Sequence, residues 1–394
     1  MTVPSRGFAE TEFAARCSAA QTAMANSGID AMLFASEAEI RYFTGFMTPF
    51  WQSPTRPWFL VLPSSGKPVA VIPSIGVPLM QTCYVSEILS WSSPAAEDDG
   101  IGLLTSCLHD LVGPGGRLGA LMGRETAMRL PMRDLLDLRD RLGGFEWCDV
   151  TAATQQIRMV KSTAEIAKIR HICGIASNVF LSMKDWNLSG MPLAELFRSF
   201  KIAALKAGAD DVSYLVGGAG PDGYTDIIAP PGERPLQKGD VLMLDTGCVW
   251  DGYFCDFDRN FAIVDACETA KEAHRKLYDA TDAAMDILRP GIRACDLYTA
   301  MDSIIRPRGD MAGGDDVGRY GHGLGIQLTE PPSHTEWDTT EIKAGMVLTL
   351  EPSITYQAND GTDRLMVAEE NILVTESGCE LLTVRTSREL PVIA

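Results

Sequence analysis

The stretch KGDVLMLDTGCVWDGYFCDFDRNFAI, residues 238–263, decides how this chain is read. Val241 to Asp245 is an apolar run ending on a carboxylate, and Tyr253 to Ile263 is a second strand-like run that carries Asp256. Gly247 and Gly252 lie between, so the two runs read as a hairpin. A hairpin sets Asp245 beside Asp256. Like charges that close raise each other's pKa, so both stay ionised at low cost only with cations between them. Taken alone, the segment is equally well explained by two aspartates flanking a turn.

Three further residues follow in the last third of the chain. YGHGLGIQLTEPPSH places His322 between two glycines, which clear space around the imidazole. AGMVLTLEPSI puts Glu351 at the tip of an apolar strand, just before Pro352, where a carboxylate needs a partner. MVAEENILVTESG puts Glu369 at the start of another strand, with Glu370 facing the opposite way. Asp245, Asp256, His322, Glu351 and Glu369 together make a poor structural zinc site and a good cradle for a pair of divalent ions. Oxygen-rich ligation with one nitrogen suits Mn or Fe, with Co or Zn as alternatives.

Outward from this core, the first 150 or so residues alternate between helix and strand. Phe8 to Ser27 has helical periodicity stopped by Gly28. Trp58 to Leu62 and Val69 to Ile72 flank the turn PSSGKP, and a helix is expected near Ala127 to Leu142. A boundary falls near Val150 to Lys161, after which Ser162 and Glu165 form a capping box. The expected organisation is an α/β N-terminal domain over 1–155 and an α+β catalytic domain over 156–394.

The chain has 394 residues, 46% hydrophobic and 22% charged, with a formal charge of -18. That balance argues against nucleic acid and anionic membrane as partners. The ten cysteines show no paired spacing, and Arg6, Glu10, Glu12 and Arg16 interrupt any apolar leader, so a reduced, cytoplasmic protein is expected.

The motifs KGDVLMLDTG, GYFCDFDRNF, GHGLG, LEPSI and EENILVTESG, preceded by GIDAMLFASEAEIRYFTGF, resemble the creatinase / Xaa-Pro dipeptidase (prolidase) / methionine aminopeptidase superfamily. The resemblance covers almost the whole chain. It implies a creatinase-like N-terminal domain and a pita-bread metallohydrolase domain, two divalent ions, and a homodimer acting on a small molecule. In the ligand roles it implies, Asp245 binds one ion, Asp256 and Glu369 bridge both, and His322 and Glu351 bind the other. Glu369 rather than Glu370 is the implied ligand because it stands six residues before Thr375.

The chain also departs from that superfamily's peptidases, which carry two further histidines for proton transfer. Thr329 stands in place of one, and Ile228 falls where the other is expected. Each such group typically contributes about a hundredfold. Glu351, Thr329 and His334 are therefore the candidate catalytic residues. Asp258, where threonine is usual, and Glu330 are candidate substrate contacts. So are Trp51, Arg56 and Trp58, with Phe50, if a partner's N-terminal domain borders the site as in creatinase-like dimers. The leading expectation is hydrolysis of a C–N bond in a small zwitterion, as in creatinase or ectoine hydrolase. Alternatives are an Xaa-Pro dipeptidase or aminopeptidase, a lyase of the dimethylsulfoniopropionate type, and a non-catalytic pita-bread binding module.

Overall fold

The structure is a computed structural model and describes residues 3–53, 56–306 and 318–393. Pro54 and Thr55, within the expected aromatic loop, lie outside the described residues. The chain divides into two compact units, Ser5–Arg158 and Met159–Ala394, with Met1–Pro4 grouped with the second.

The N-terminal unit opens with α1 (Glu10–Ser27), β1 (Ala31–Phe34), α2 (Glu37–Thr44), β2 (Phe59–Pro63), β3 (Val69–Pro73), α3 (Val77–Met80) and β4 (Glu87–Trp91). It continues through α4 (Ile101–Val112), β5 (Arg117–Ala120), α5 (Met132–Arg141), β6 (Glu146–Asp149) and α6 (Thr151–Met159). Its six strands form one mixed sheet in the order β4-β3-β2-β1-β5-β6. Gly28 ends α1 in the left-handed region at φ 63, which glycine enters without steric cost. The helix expected from Ala127 begins only at Met132. Pro131 caps it at ψ 140, and a proline pushes the residue before it out of helical geometry.

The second unit starts with α7 (Thr163–Ser182), where the Ser162–Glu165 capping box is present. Then come α8 (Leu193–Ala207), β7 (Asp211–Pro221), β8 (Asp240–Trp250), β9 (Tyr253–Phe254) and β10 (Phe257–Ile263). A second pair of helices follows, α9 (Glu268–Ile287) and α10 (Ala294–Ile305). After it come β11 (His322–Gly323), β12 (Glu330–Ser333), β13 (Val347–Leu350), β14 (Ser353–Gln357) and β15 (Asp363–Val367). The unit closes with β16 (Glu370–Val374), β17 (Cys379–Leu381) and β18 (Val392–Ile393). One sheet runs β18-β10-β8-β7 with β9 on β8, the other β12-β11-β13-β16-β17, and β14 pairs β15. Two buried cores hold the helices to these strands. One gathers Ala280, Ala284, Leu297 and Met301 against Leu348, Leu350 and Ile372. The other gathers Ala270, Ala273 and Leu277 against Val241, Met243 and Ala262. Among the described residues no helix is long and apolar enough to cross a membrane.

The run expected from Tyr253 to Ile263 is broken at Cys255 and Asp256. There the Asp256 N–H donates to the side chain of Asn371 at 3.0 Å. The interruption falls on a candidate ligand.

Candidate metal centre

Register places the acidic groups. β8 and β10 pair antiparallel with Thr246 opposite Phe257 and Asp245 opposite Asp258. Asp256 therefore falls opposite Gly247, on the same sheet face as Asp245 and Asp258, because side chains alternate with a period of two. Gly247 keeps that face open. A Cβ there would lie 2.5 Å from Leu328 Cδ1 and 3.0 Å from Tyr214 Cβ. Asp245 and Asp256 are thus diagonal neighbours, and the residue directly across from Asp245 is Asp258.

His322 arrives from β11. Its backbone N–H donates to Thr349 Oγ1 at 3.1 Å, and its Nδ1 lies 2.8 Å from the Gly323 carbonyl oxygen. That contact fixes the proton on Nδ1 and leaves Nε2 as the free lone pair, the usual arrangement of a ligating histidine. Nε2 is 3.5 Å from Asp256 Oδ2. Ligand atoms of Asp256, His322 and Glu369 all lie within 4.8 Å of one another, and all three residues are buried. Asp245 and Glu351 stand outside that trio but within its field: the charges of both raise the pKa of Asp256.

The electrostatics describe a site short of positive charge. Burial pushes the Asp245 carboxyl up to about 7 against a hydrogen bond from the Tyr214 hydroxyl. Burial and then the Asp245 charge push Glu351 up to about 8. Asp256, Asp258 and Glu369 are driven well above the carboxylate range by burial and then by neighbouring carboxylates, Asp245 and Glu351 among them in each case. Burial and the Arg319 charge hold His322 down to about 3, so its imidazole is neutral. Asp245 Oδ1, Asp258 Oδ2 and Glu369 Oε1 are buried with no hydrogen-bond partner. Buried polar atoms are nearly always partnered, and partnerless carboxylate oxygens around a neutral imidazole fit divalent cations.

Residues that sequence reading did not single out hold the centre in shape. Asn371 clamps Asp256 from both sides, accepting its N–H and donating to its carbonyl. Arg259 donates to the main-chain oxygen of Glu369 at 2.9 Å and pairs with Glu370 at 2.9 Å, both within the core. Tyr214 reaches Asp245 from β7. The only sequence signal for these three is their place within or beside the ligand-bearing strands.

Glu330 is 3% exposed and is bound in a buried ion pair with Lys161, Nζ to Oε2 3.0 Å, while its Oε1 accepts the Gln327 N–H. It is already occupied, contrary to the expectation of a substrate contact. His334 is fully enclosed at 0% exposure, with neither ring nitrogen partnered. It packs behind Gly321, where a Cβ would come 2.8 Å from its Nδ1. Burial holds it neutral, down to about 4. A ring so enclosed supports the His322 segment and has no opening toward a substrate. Thr329 is half-buried in the bend between β11 and β12, and Ile228 is 72% exposed. In the N-terminal unit Trp58 and Trp51 are buried, with ring centroids 5.9 Å apart, and Phe50 lies 6.0 Å from Trp58. Arg56 lies over Phe50 at 5.4 Å. These contacts are aromatic packing inside that unit.

The sign of the pH dependence follows. Carboxyls whose folded pKa is raised stabilise the ion-free protein below their unfolded pKa, near 4, and lose that contribution as pH rises through the folded value. His322 and His334, with folded values depressed, act oppositely and only below about 6.5. Above pH 6.5 the carboxyl contribution is lost progressively, with Asp245 at about 7 and Glu351 at about 8 setting the window. The Tm of chelator-treated protein should fall across that window. Saturating Mn2+ should flatten the fall, a comparison that differential scanning calorimetry makes directly. A metal-free Tm that rose over the same range would contradict this account.

A centre of this kind, on a chain built from an α/β unit followed by an α+β unit, is that of a metal-dependent hydrolase. Residues 167–376 match the description of metallopeptidase family M24, and residues 16–160 match that of the creatinase/prolidase N-terminal domain. The chain belongs to metallopeptidase family M24 and has its pita-bread fold. It is 25% identical over 376 residues to a probable dipeptidase PepE of Mycobacterium tuberculosis, covering 95% of each chain. It is 28% identical over 277 residues to an Xaa-Pro dipeptidase of Pyrococcus horikoshii, covering 68% of this chain and 74% of that one. The crystal structure of dipeptidase PepE from Mycobacterium ulcerans superposes with a TM-score of 0.83 at 25% identity, over 99% of this chain and 100% of that one.

Proposed function

We propose that this chain is a two-ion hydrolase of an amide-type C–N bond in a small zwitterionic substrate. The observation that carries the reading is the buried trio of Asp256, His322 and Glu369, with partnerless carboxylate oxygens around it. Asp245, Asp256 and Glu369 would hold one ion, and His322, Glu351, Asp256 and Glu369 the other. Bound there, a pair of divalent ions supplies an acidified water and polarises a carbonyl oxygen. Glu351, half-buried just past the end of β13, is the group we assign to carry a proton toward the leaving nitrogen. Asn371 and Arg259 hold the backbones of Asp256 and Glu369 so that the carboxylates do not swing. Mn or Fe suits this hard, oxygen-rich set better than Zn.

Dipeptides are the first substrates to consider, because relatives similar over most of the chain are called dipeptidases. Thr329 and Ile228, standing where family peptidases carry imidazoles, favour a non-peptide amide as the second. Ten free cysteines support residence in a reducing cytoplasm, and a homodimer is the assembly the resemblance implies. Chelator-treated protein should be reloaded with Mn2+, Fe2+, Co2+ or Zn2+ singly and bound metal counted by mass spectrometry. Each form is then assayed on Xaa-Pro dipeptides, other dipeptides, ectoine, creatine and a sulfonium propionate. Two ions per chain with hydrolysis of one amide class is the expected result. A protein that takes up no ion, or that releases only an elimination product, would sink the reading.

A further inference from the structure

Asp258 is the acidic residue that the expected ligand set leaves out, yet it occupies the position directly across from Asp245. The Cys255 N–H donates to the Cys248 carbonyl at 3.0 Å, and hydrogen-bonded and non-hydrogen-bonded pairs alternate along an antiparallel ladder. The pair Asp245–Asp258 is therefore of the non-hydrogen-bonded kind, in which facing Cβ atoms approach to about 4.5–5.5 Å. Two carboxylates so placed repel, and on the Asp258 side almost no water screens them: Asp258 is 2% exposed.

Its two oxygens have different surroundings. Oδ1 accepts the backbone N–H of Glu369 at 3.0 Å, whereas Oδ2 is buried and has no partner. The neighbouring cation does not serve it. The Arg259 guanidinium is spent on the main-chain oxygens of Asp258, Glu369 and Val384 and on the Glu370 carboxylate. Side-chain alternation along β10 puts Asp258 on the ligand face and Arg259 on the other.

We propose that Asp258 is a sixth metal-binding residue, whose Oδ2 holds a divalent ion together with Asp245 while its Oδ1 fixes the backbone of Glu369. This rests on the two-ion reading and extends it. With Asp258 the centre offers five carboxylates to two divalent ions, so one negative charge remains over after pairing. Such a surplus favours tight uptake of hard cations.

The test is calorimetric titration of chelator-treated protein with Mn2+, wild type against Asp258→Asn. Asparagine keeps the oxygen that accepts the Glu369 N–H and removes only the charge. At least one of the two Mn2+ dissociation constants should rise tenfold or more, with the metal-free Tm unchanged or higher because the facing repulsion is gone. Both constants within twofold of wild type would overturn the proposal, since Asp258 would then serve only the Glu369 backbone. A raised KM with unchanged Mn2+ binding would overturn it as well, by making the residue a substrate contact. Asp258→Ser, which keeps an acceptor near the Glu369 N–H, carries the same test if the asparagine variant does not fold. If the wild-type protein itself bound no Mn2+, the two-ion reading would fail before the variant was consulted, and the two failures are told apart.

Discussion

Asp256→Ala should abolish uptake of divalent ions and lower kcat/KM by on the order of a thousandfold or more, about 4 kcal/mol of transition-state stabilisation. The size follows from position. Asp256 Oδ2 lies 3.5 Å from His322 Nε2, and its side chain is, with that of Glu369, one of the two shared between the proposed ion positions. The loss should come without unfolding. The bonds that tie this residue to Asn371 run through its backbone N–H and carbonyl, which alanine retains. Removal of a buried carboxylate also relieves repulsion from Asp245 and Glu351. Circular dichroism, metal content and kinetics on one preparation check all three parts. Turnover within tenfold of wild type, with metal still bound, would be incompatible with the site described.

Lys161→Met should have the largest effect on stability. Lys161 and Glu330 are 1% and 3% exposed at the side chain and meet at 3.0 Å. Removing one partner of a buried pair leaves the other charge desolvated, at a cost of about 3–5 kcal/mol. Urea unfolding should show that loss for Lys161→Met and a comparable one for Glu330→Gln. The double variant Lys161→Met with Glu330→Leu should recover much of it, because apolar replacement of both partners leaves no orphaned charge. The same experiment decides what Glu330 does. At a temperature where Glu330→Gln remains folded, an unchanged KM assigns it to the scaffold, and a KM raised tenfold would return it to the substrate.

These two residues also show where sequence reading works and where it stops. Of the set Asp245, Asp256, His322, Glu351 and Glu369, expected from local context together with the family resemblance, the structure brings ligand atoms of Asp256, His322 and Glu369 within 4.8 Å of one another. Strand alternation says only that Glu369 and Glu370 face opposite ways; the family resemblance points to Glu369 as the ligand, and the structure ties Glu370 to Arg259. Glu330 reads as a substrate contact, but its ion-pair partner lies 169 residues earlier, and no local pattern reveals a pairing that long-range. His334 posed the same difficulty. Only its packing against Gly321 and its complete enclosure show that the ring lies behind the strand. Asn371 and Tyr214 were hidden for another reason: each acts on a neighbour's backbone or side chain, and an asparagine or tyrosine in a strand announces nothing of the kind. The hairpin was read as two short runs because periodicity cannot see that β8 extends to Trp250.

The turn closing that hairpin sets the whole arrangement. It consists of Asp251 and Gly252 alone, with φ of 48 and 80, so both central residues occupy the left-handed region that a tight reversal between twisted strands demands. Asp251 is pinned there by Lys168 and by the Asp210 carboxylate. One additional residue at this bend would leave a good ribbon but rotate Asp256 and Asp258 toward the helices, trading places with Cys255 and Phe257. Descendants of this sequence can vary freely in the loops that end far from the ions. At this corner, length is heritable only in steps of two.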